Sequence, residues 1–140
     1  MKTIFAAVML CALAACASRE TASTAADSAP LVGTRWVLTK LGDTTVAPAE
    51  REAFLTLQAS DQRASGYAGC NMFAGPYQLA GDKLSFGPLA MTRMACPPPG
   101  MAVEGGYANA LRGAKAYTVA GRTMTLMDDA GKSLATFVAK

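Results

Sequence analysis

The residues of this 140-residue chain whose types could carry chemistry are four cysteines, two close pairs of acids and scattered serines, and they stand without a single histidine. That absence removes the usual general base at neutral pH and the commonest metal ligand. Cys70 and Cys96 therefore lack the imidazole that would activate a thiol nucleophile, and two cysteines without histidine supply only half of a structural zinc site. Ser60, Ser65, Ser85 and Ser133 have neither a nucleophile-elbow context nor a base, which excludes a hydrolase of the usual Ser-His type. Glu50 and Glu52 flank Arg51 in a polar link and read as solvated charge. Asp128-Asp129 precedes Gly131 in a turn, where aspartate is favoured for backbone reasons, and neither pair fits a twelve-residue calcium loop. Gly66 and Gly69 match no phosphate-binding pattern. The sequence predicts no catalytic residue, no metal and no cofactor.

Net charge is +3 with a pI near 8.8, but no run of three bases occurs. Nucleic-acid binding would want clustered bases interleaved with aromatics, so no nucleic-acid partner is expected. Residues 1–15, MKTIFAAVMLCALAA, place one lysine before an apolar run from Ile4 to Ala15. The run is too short to span a bilayer and has the form of a signal peptide. Its end, Leu13-Ala14-Ala15-Cys16, resembles the lipobox of bacterial lipoproteins, in which the cysteine is acylated and becomes the new N-terminus; the alternative is an ordinary signal cut near Ala15 or Ala17. The lipobox reading makes Cys16 the lipidation site and the membrane a partner through two or three acyl chains. Ala17 and Ser18 follow it, not the aspartate that resembles an inner-membrane retention signal, so the expected location is the outer membrane, facing the periplasm. Residues 16–30 are rich in Ala, Ser and Thr and read as a lipidated flexible linker. One folded domain, residues 31–140, remains.

The elements that must position any site are short. Thr34–Leu41 is β-type and carries the single tryptophan, Trp36, which reads as core or as a ligand platform. Thr44–Val46 could return as a short strand. Phe54–Ala59 alternates Leu55 and Leu57 against polar residues, and Arg63–Ala68 pairs back, with Gly66 and Gly69 marking a bulge or a bend where another backbone comes close. Met72–Pro76 reads as an irregular link. Tyr77–Ala80 and Lys83–Phe86 form a hairpin, and Leu89–Thr92 is a further short strand. Val103, Tyr107, Leu111 and Ala114 recur at helical spacing after three prolines, which predicts a helix over Met101–Ala114. Ala116–Ala120, Thr123–Met127 and Ser133–Val138 close the chain as strands.

An exported chain meets an oxidising compartment. Cys11 leaves with the signal and Cys16 is acylated, so Cys70 and Cys96 remain as a pair. They read as a structural disulfide, with free thiols or redox use as alternatives. Gly69-Cys70-Asn71, Phe73-Ala74-Gly75-Pro76-Tyr77 and Leu89-Ala90-Met91-Thr92-Arg93-Met94-Ala95-Cys96, with Trp36-Val37-Leu38 and Thr123-Met124-Thr125-Leu126, resemble the META domain family, the HslJ-like heat-shock lipoproteins. The resemblance covers nearly all of residues 31–140. It implies an α+β fold, a small, mostly antiparallel sheet or partial barrel with one helix packed against it. It also implies envelope-stress membership without an established enzyme activity or cofactor. Thr92 and Arg93 carry either structural hydrogen bonds or a ligand. Two function classes follow: a non-enzymatic interaction module for an envelope protein or cell-wall component, and a carrier of a small or lipophilic molecule. The carrier would use a pocket between sheet and helix near Met72, Phe73, Met91, Thr92, Arg93 and Met94.

Overall fold

The computed structural model describes residues 27–140; the expected signal peptide, the Cys16 lipidation site and most of the linker lie outside them. Ten strands and one helix follow one another in the order β1 (Trp36–Leu41), β2 (Thr44–Thr45), β3 (Phe54–Gln58), β4 (Arg63–Tyr67), β5 (Met72–Ala80), β6 (Lys83–Phe86), β7 (Ala90–Met91), α1 (Gly100–Gly113), β8 (Ala116–Ala120), β9 (Thr123–Met127) and β10 (Ser133–Ala139). Every pairing is antiparallel. The hydrogen-bonded order runs β10-β9-β8-β6-β5-β4-β3-β1, and β1 then pairs with β10 from Trp36↔Ala139 to Leu41↔Ala135. Eight strands thus close on themselves, while β2 folds back on β1 and β7 adds to β5.

This corrects the expectation of a partial barrel: the barrel is closed. Closure satisfies edge strands that an open sheet would leave as templates for aggregation. A barrel of eight strands is just wide enough for side chains to fill it, and here they do. Trp36, Leu55, Leu57, Leu84, Tyr107, Leu111, Met124, Leu126 and Phe137 are all fully buried. Alternation puts them there: β3 buries Leu55 and Leu57 and turns Thr56 and Gln58 outward. Trp36 is core, its indole N–H donating to the Leu31 carbonyl at 2.8 Å.

The link expected at Met72–Pro76 is instead the first half of β5, a strand of nine residues. Pro76 is tolerated because it sits where β5 changes neighbours. Arg63↔Pro76 is the last pair with β4 and Tyr77↔Phe86 the first with β6. Gly66 lies within β4, where a Cβ would stand 2.0 Å from the Phe54 carbonyl oxygen and 2.7 Å from the Phe73 ring. The close approach read from that glycine is a fact of the barrel wall.

The helix closes the end of the barrel at which β4 finishes and β10 begins. It buries Tyr107, Ala110 and Leu111, and Tyr107 meets Phe73 edge-on at 5.6 Å and Phe137 at 5.7 Å between centroids. Gly106 gives Leu41 room, since a Cβ there would lie 2.8 Å from its Cδ1. Ser28 and Ala29 are already docked, hydrogen-bonded to Gly121 at the β8–β9 turn.

Candidate functional site

The turn from Ala68 to Asn71, between β4 and β5, is where three separate pieces of chain meet. Gly69 adopts φ +105°, and a side-chain carbon there would lie 3.0 Å from Val103 and 3.2 Å from the Gly100 carbonyl oxygen. Both the backbone and the packing against the first turn of α1 therefore call for glycine. Cys70, 1% exposed, is disulfide-bonded to Cys96 with Cα atoms 5.8 Å apart. The bond fastens the turn to the segment that leads through Pro97–Pro99 into the helix.

Asn71 is the buried polar residue of the described core, 2% exposed. Its backbone N–H donates to Glu104 Oε2 at 2.7 Å, and its Nδ2 donates to Glu104 Oε1 at 3.2 Å and to the Met94 carbonyl at 3.1 Å. Its Oδ1 accepts from the Met94 N–H at 2.7 Å and the Thr92 hydroxyl at 2.9 Å. The Thr92 oxygen in turn accepts the Met72 N–H at 3.1 Å. An amide has two donors and two lone pairs, and all four are used. The irregular run after β7 has few backbone partners of its own, so one side chain supplies what a strand ladder would otherwise give.

Two surface depressions flank this junction. One, of about 730 Å³, lies over Asn71 and is lined by Leu89, Met91, Thr92, Arg93, Met94, Met101 and Glu104. The other, of about 600 Å³, is an apolar cleft lined by a separate set of residues that includes Cys96. Its walls are the Val46–Ala53 loop, the outer face of β1 at Val37, and the Pro97–Pro99 run before α1. Tyr67 lines it, its hydroxyl donating to the Gly69 carbonyl at 2.9 Å and its ring covered by the Arg51 guanidinium at 4.0 Å. Glu52 and Lys140 form an ion pair at the rim.

Of the six candidate ligand residues, the structure brings Met91, Thr92, Arg93 and Met94 together around the first depression. It places the other two elsewhere. Phe73 is 2% exposed inside the barrel, and Met72 lies outside with its sulfur 3.0 Å from Arg51 Nη2. Thr92 carries structural hydrogen bonds, one of the two roles read for it. Sequence reasoning missed Glu104, the single acid on α1, and the Tyr67–Arg51 stack. An acid on an otherwise uncharged first half of a helix was the available signal for Glu104.

Among the described residues no three His, Cys, Asp or Glu side chains converge as a metal site. Two tyrosines are perturbed, and both lie in the core. Burial holds the Tyr107 phenol well above its ordinary pKa. Burial, and secondarily the Asp61 carboxylate, raise that of Tyr77, whose hydroxyl donates to the Gln58 carbonyl at 3.0 Å. Neither faces a depression as an acid or base.

The model of the META domain matches residues 29–140. The chain belongs to the META domain family. A solution structure of a protein from Burkholderia xenovorans is similar to this META domain over 79% of this chain and 83% of that one, with 40% identity and a TM-score of 0.65. A second solution structure, 23% identical, shares the fold over 77% of this chain and 91% of that one, at a TM-score of 0.61. No curated protein matches the chain.

Proposed function

We propose that this META domain is the folded part of a non-enzymatic lipoprotein, anchored through Cys16 in the outer membrane and facing the periplasm, which serves the envelope under stress as an interaction module. The observation that carries the reading is where space is found. The barrel interior is taken up by side chains from Trp36 to Phe137 that are fully buried. The space offered to a partner is at the surface, in the apolar cleft of about 600 Å³ beside Tyr67 and the proline run. A carrier for a lipophilic molecule needs an enclosed cavity of several hundred cubic ångströms, whereas an open apolar cleft with a polar rim suits a protein, peptide or cell-wall component.

Crosslinking and pull-down of the lipidated protein from intact envelopes, with and without heat or antibiotic stress, tests the module. The expected result is one specific partner, lost when Tyr67→Ala opens the cleft wall. Recovery of a bound small lipid and no partner would move the assignment to the carrier. Globomycin treatment tests the anchor separately: precursor accumulation is expected, and unchanged precursor size would refute lipidation at Cys16.

A further inference from the structure

Six methionines lie in the described residues. Met124 is fully buried in the barrel, Met127 ends β9, and Met72 packs its sulfur on Arg51. The other three, Met91, Met94 and Met101, line the single depression over Asn71. They come from different places: Met91 from β7, Met94 from the run that Asn71 holds, Met101 from the first turn of α1. Met94 and Met101 are 55% and 47% exposed, the largest values among the exposed large hydrophobics. Exposed apolar side chains scattered singly need no explanation. Three of one type lining one depression from three segments do, the more so because the Asn71 and Cys70–Cys96 links fix the run on which Met94 lies.

We propose that Met91, Met94 and Met101 form a thioether site for a soft monovalent cation, copper(I). Thioether sulfur is a soft, uncharged donor that selects Cu(I) over harder or borderline divalent ions. The chain supplies no imidazole, and its two cysteines in the described residues are joined to each other, so neither an imidazole nor a thiolate is there to recruit zinc or Cu(II) instead. The unbranched methionine side chain has three rotatable bonds and can swing its sulfur onto an ion in an open depression. Two charges line the same space: Glu104, whose carboxylate is held by Asn71 and offsets a cation's charge, and Arg93, which is exposed. This inference stands apart from the interaction cleft, which shares no lining residue with this depression.

The test uses silver(I) as the probe, in chloride-free buffer, on the full chain in detergent with its free thiols alkylated. The methionine methyl groups are ¹³C-labelled and followed by NMR. The methyl signals of Met91, Met94 and Met101 are expected to shift together and saturate near one equivalent, while Met72, Met124 and Met127 stay in place. Exchanging two sulfurs in the Met94→Leu/Met101→Leu variant conserves volume at exposed positions, so the fold is retained, and silver affinity is expected to fall at least tenfold. Met72→Leu should leave it unchanged. The proposal is overturned if the three methyls do not move, if Met72 moves with them at the same silver concentration, or if the double variant binds as tightly as the parent.

Discussion

Replacing Asn71 tests whether one side chain holds the junction together. Asn71→Ala removes four hydrogen bonds: one to the Thr92 hydroxyl, two to the Met94 backbone and one to Glu104. Neutral bonds contribute about 1 kcal/mol each and one to a charged group about 2, which sums to about 5 kcal/mol. Thr92 and Met94 are exposed and regain water when freed, so the expected loss is about 3 kcal/mol. Urea unfolding read by tryptophan fluorescence measures it through the single Trp36. Asn71→Asp sharpens the test, because it keeps both acceptor bonds and turns the Nδ2 donor into a second carboxylate beside Glu104. Like charges sharing a site raise the introduced group's pKa in the folded state above its unfolded value. The folded variant then binds protons more tightly than the unfolded chain, and its stability falls as pH rises through the carboxylate range. N71D should be destabilised by at least as much as the alanine variant at pH 7 and recover most of the difference near pH 4. A loss under about 1 kcal/mol for Asn71→Ala, or an N71D deficit that does not change with pH, would refute the reasoning.

Tyr107→Phe should stabilise the protein by about 1 kcal/mol, because the buried Tyr107 hydroxyl has no hydrogen-bond partner among the described residues. The same variant should blunt alkaline unfolding. A phenol whose folded pKa is raised contributes stability that is intact below about pH 10 and lost as pH climbs beyond it. Thermal melts of parent and variant at pH 7 and pH 11 check both signs. Reducing Cys70–Cys96, or making Cys70→Ala/Cys96→Ala, frees a loop of sequence separation 26. The expected cost is about 3.5 kcal/mol from loop-closure entropy, read as a lower urea midpoint; an unchanged midpoint would contradict a structural role for the bond.

Much of this fold was legible because strands this short advertise themselves by alternation. Leu55 and Leu57 in β3, and Leu84 with Phe86 in β6, mark their inward faces, and Val103, Tyr107 and Leu111 mark the helix within a residue or two of its ends. Barrel closure was not legible. It rests on pairing Trp36 with Ala139, from opposite ends of the domain, and neither strand's pattern names its partner. The first half of β5 was hidden by Gly75-Pro76, turn punctuation that tertiary context overrode at a change of neighbours. Once β5 is a strand, alternation places Phe73 inward with Tyr77 and removes it from any surface site. The glycine and cysteine positions of the junction were readable as bends and a cross-link. What Asn71 does was not, since its partner Glu104 lies 33 residues away on the helix and no local signal joins the two.

Native mass spectrometry of the protein released gently from envelopes tests most directly whether this META domain works from its surface or as a carrier. A filled barrel predicts the mass of the mature chain, alone or with a protein or cell-wall partner. A stoichiometric small lipophilic molecule retained on the purified chain would contradict it.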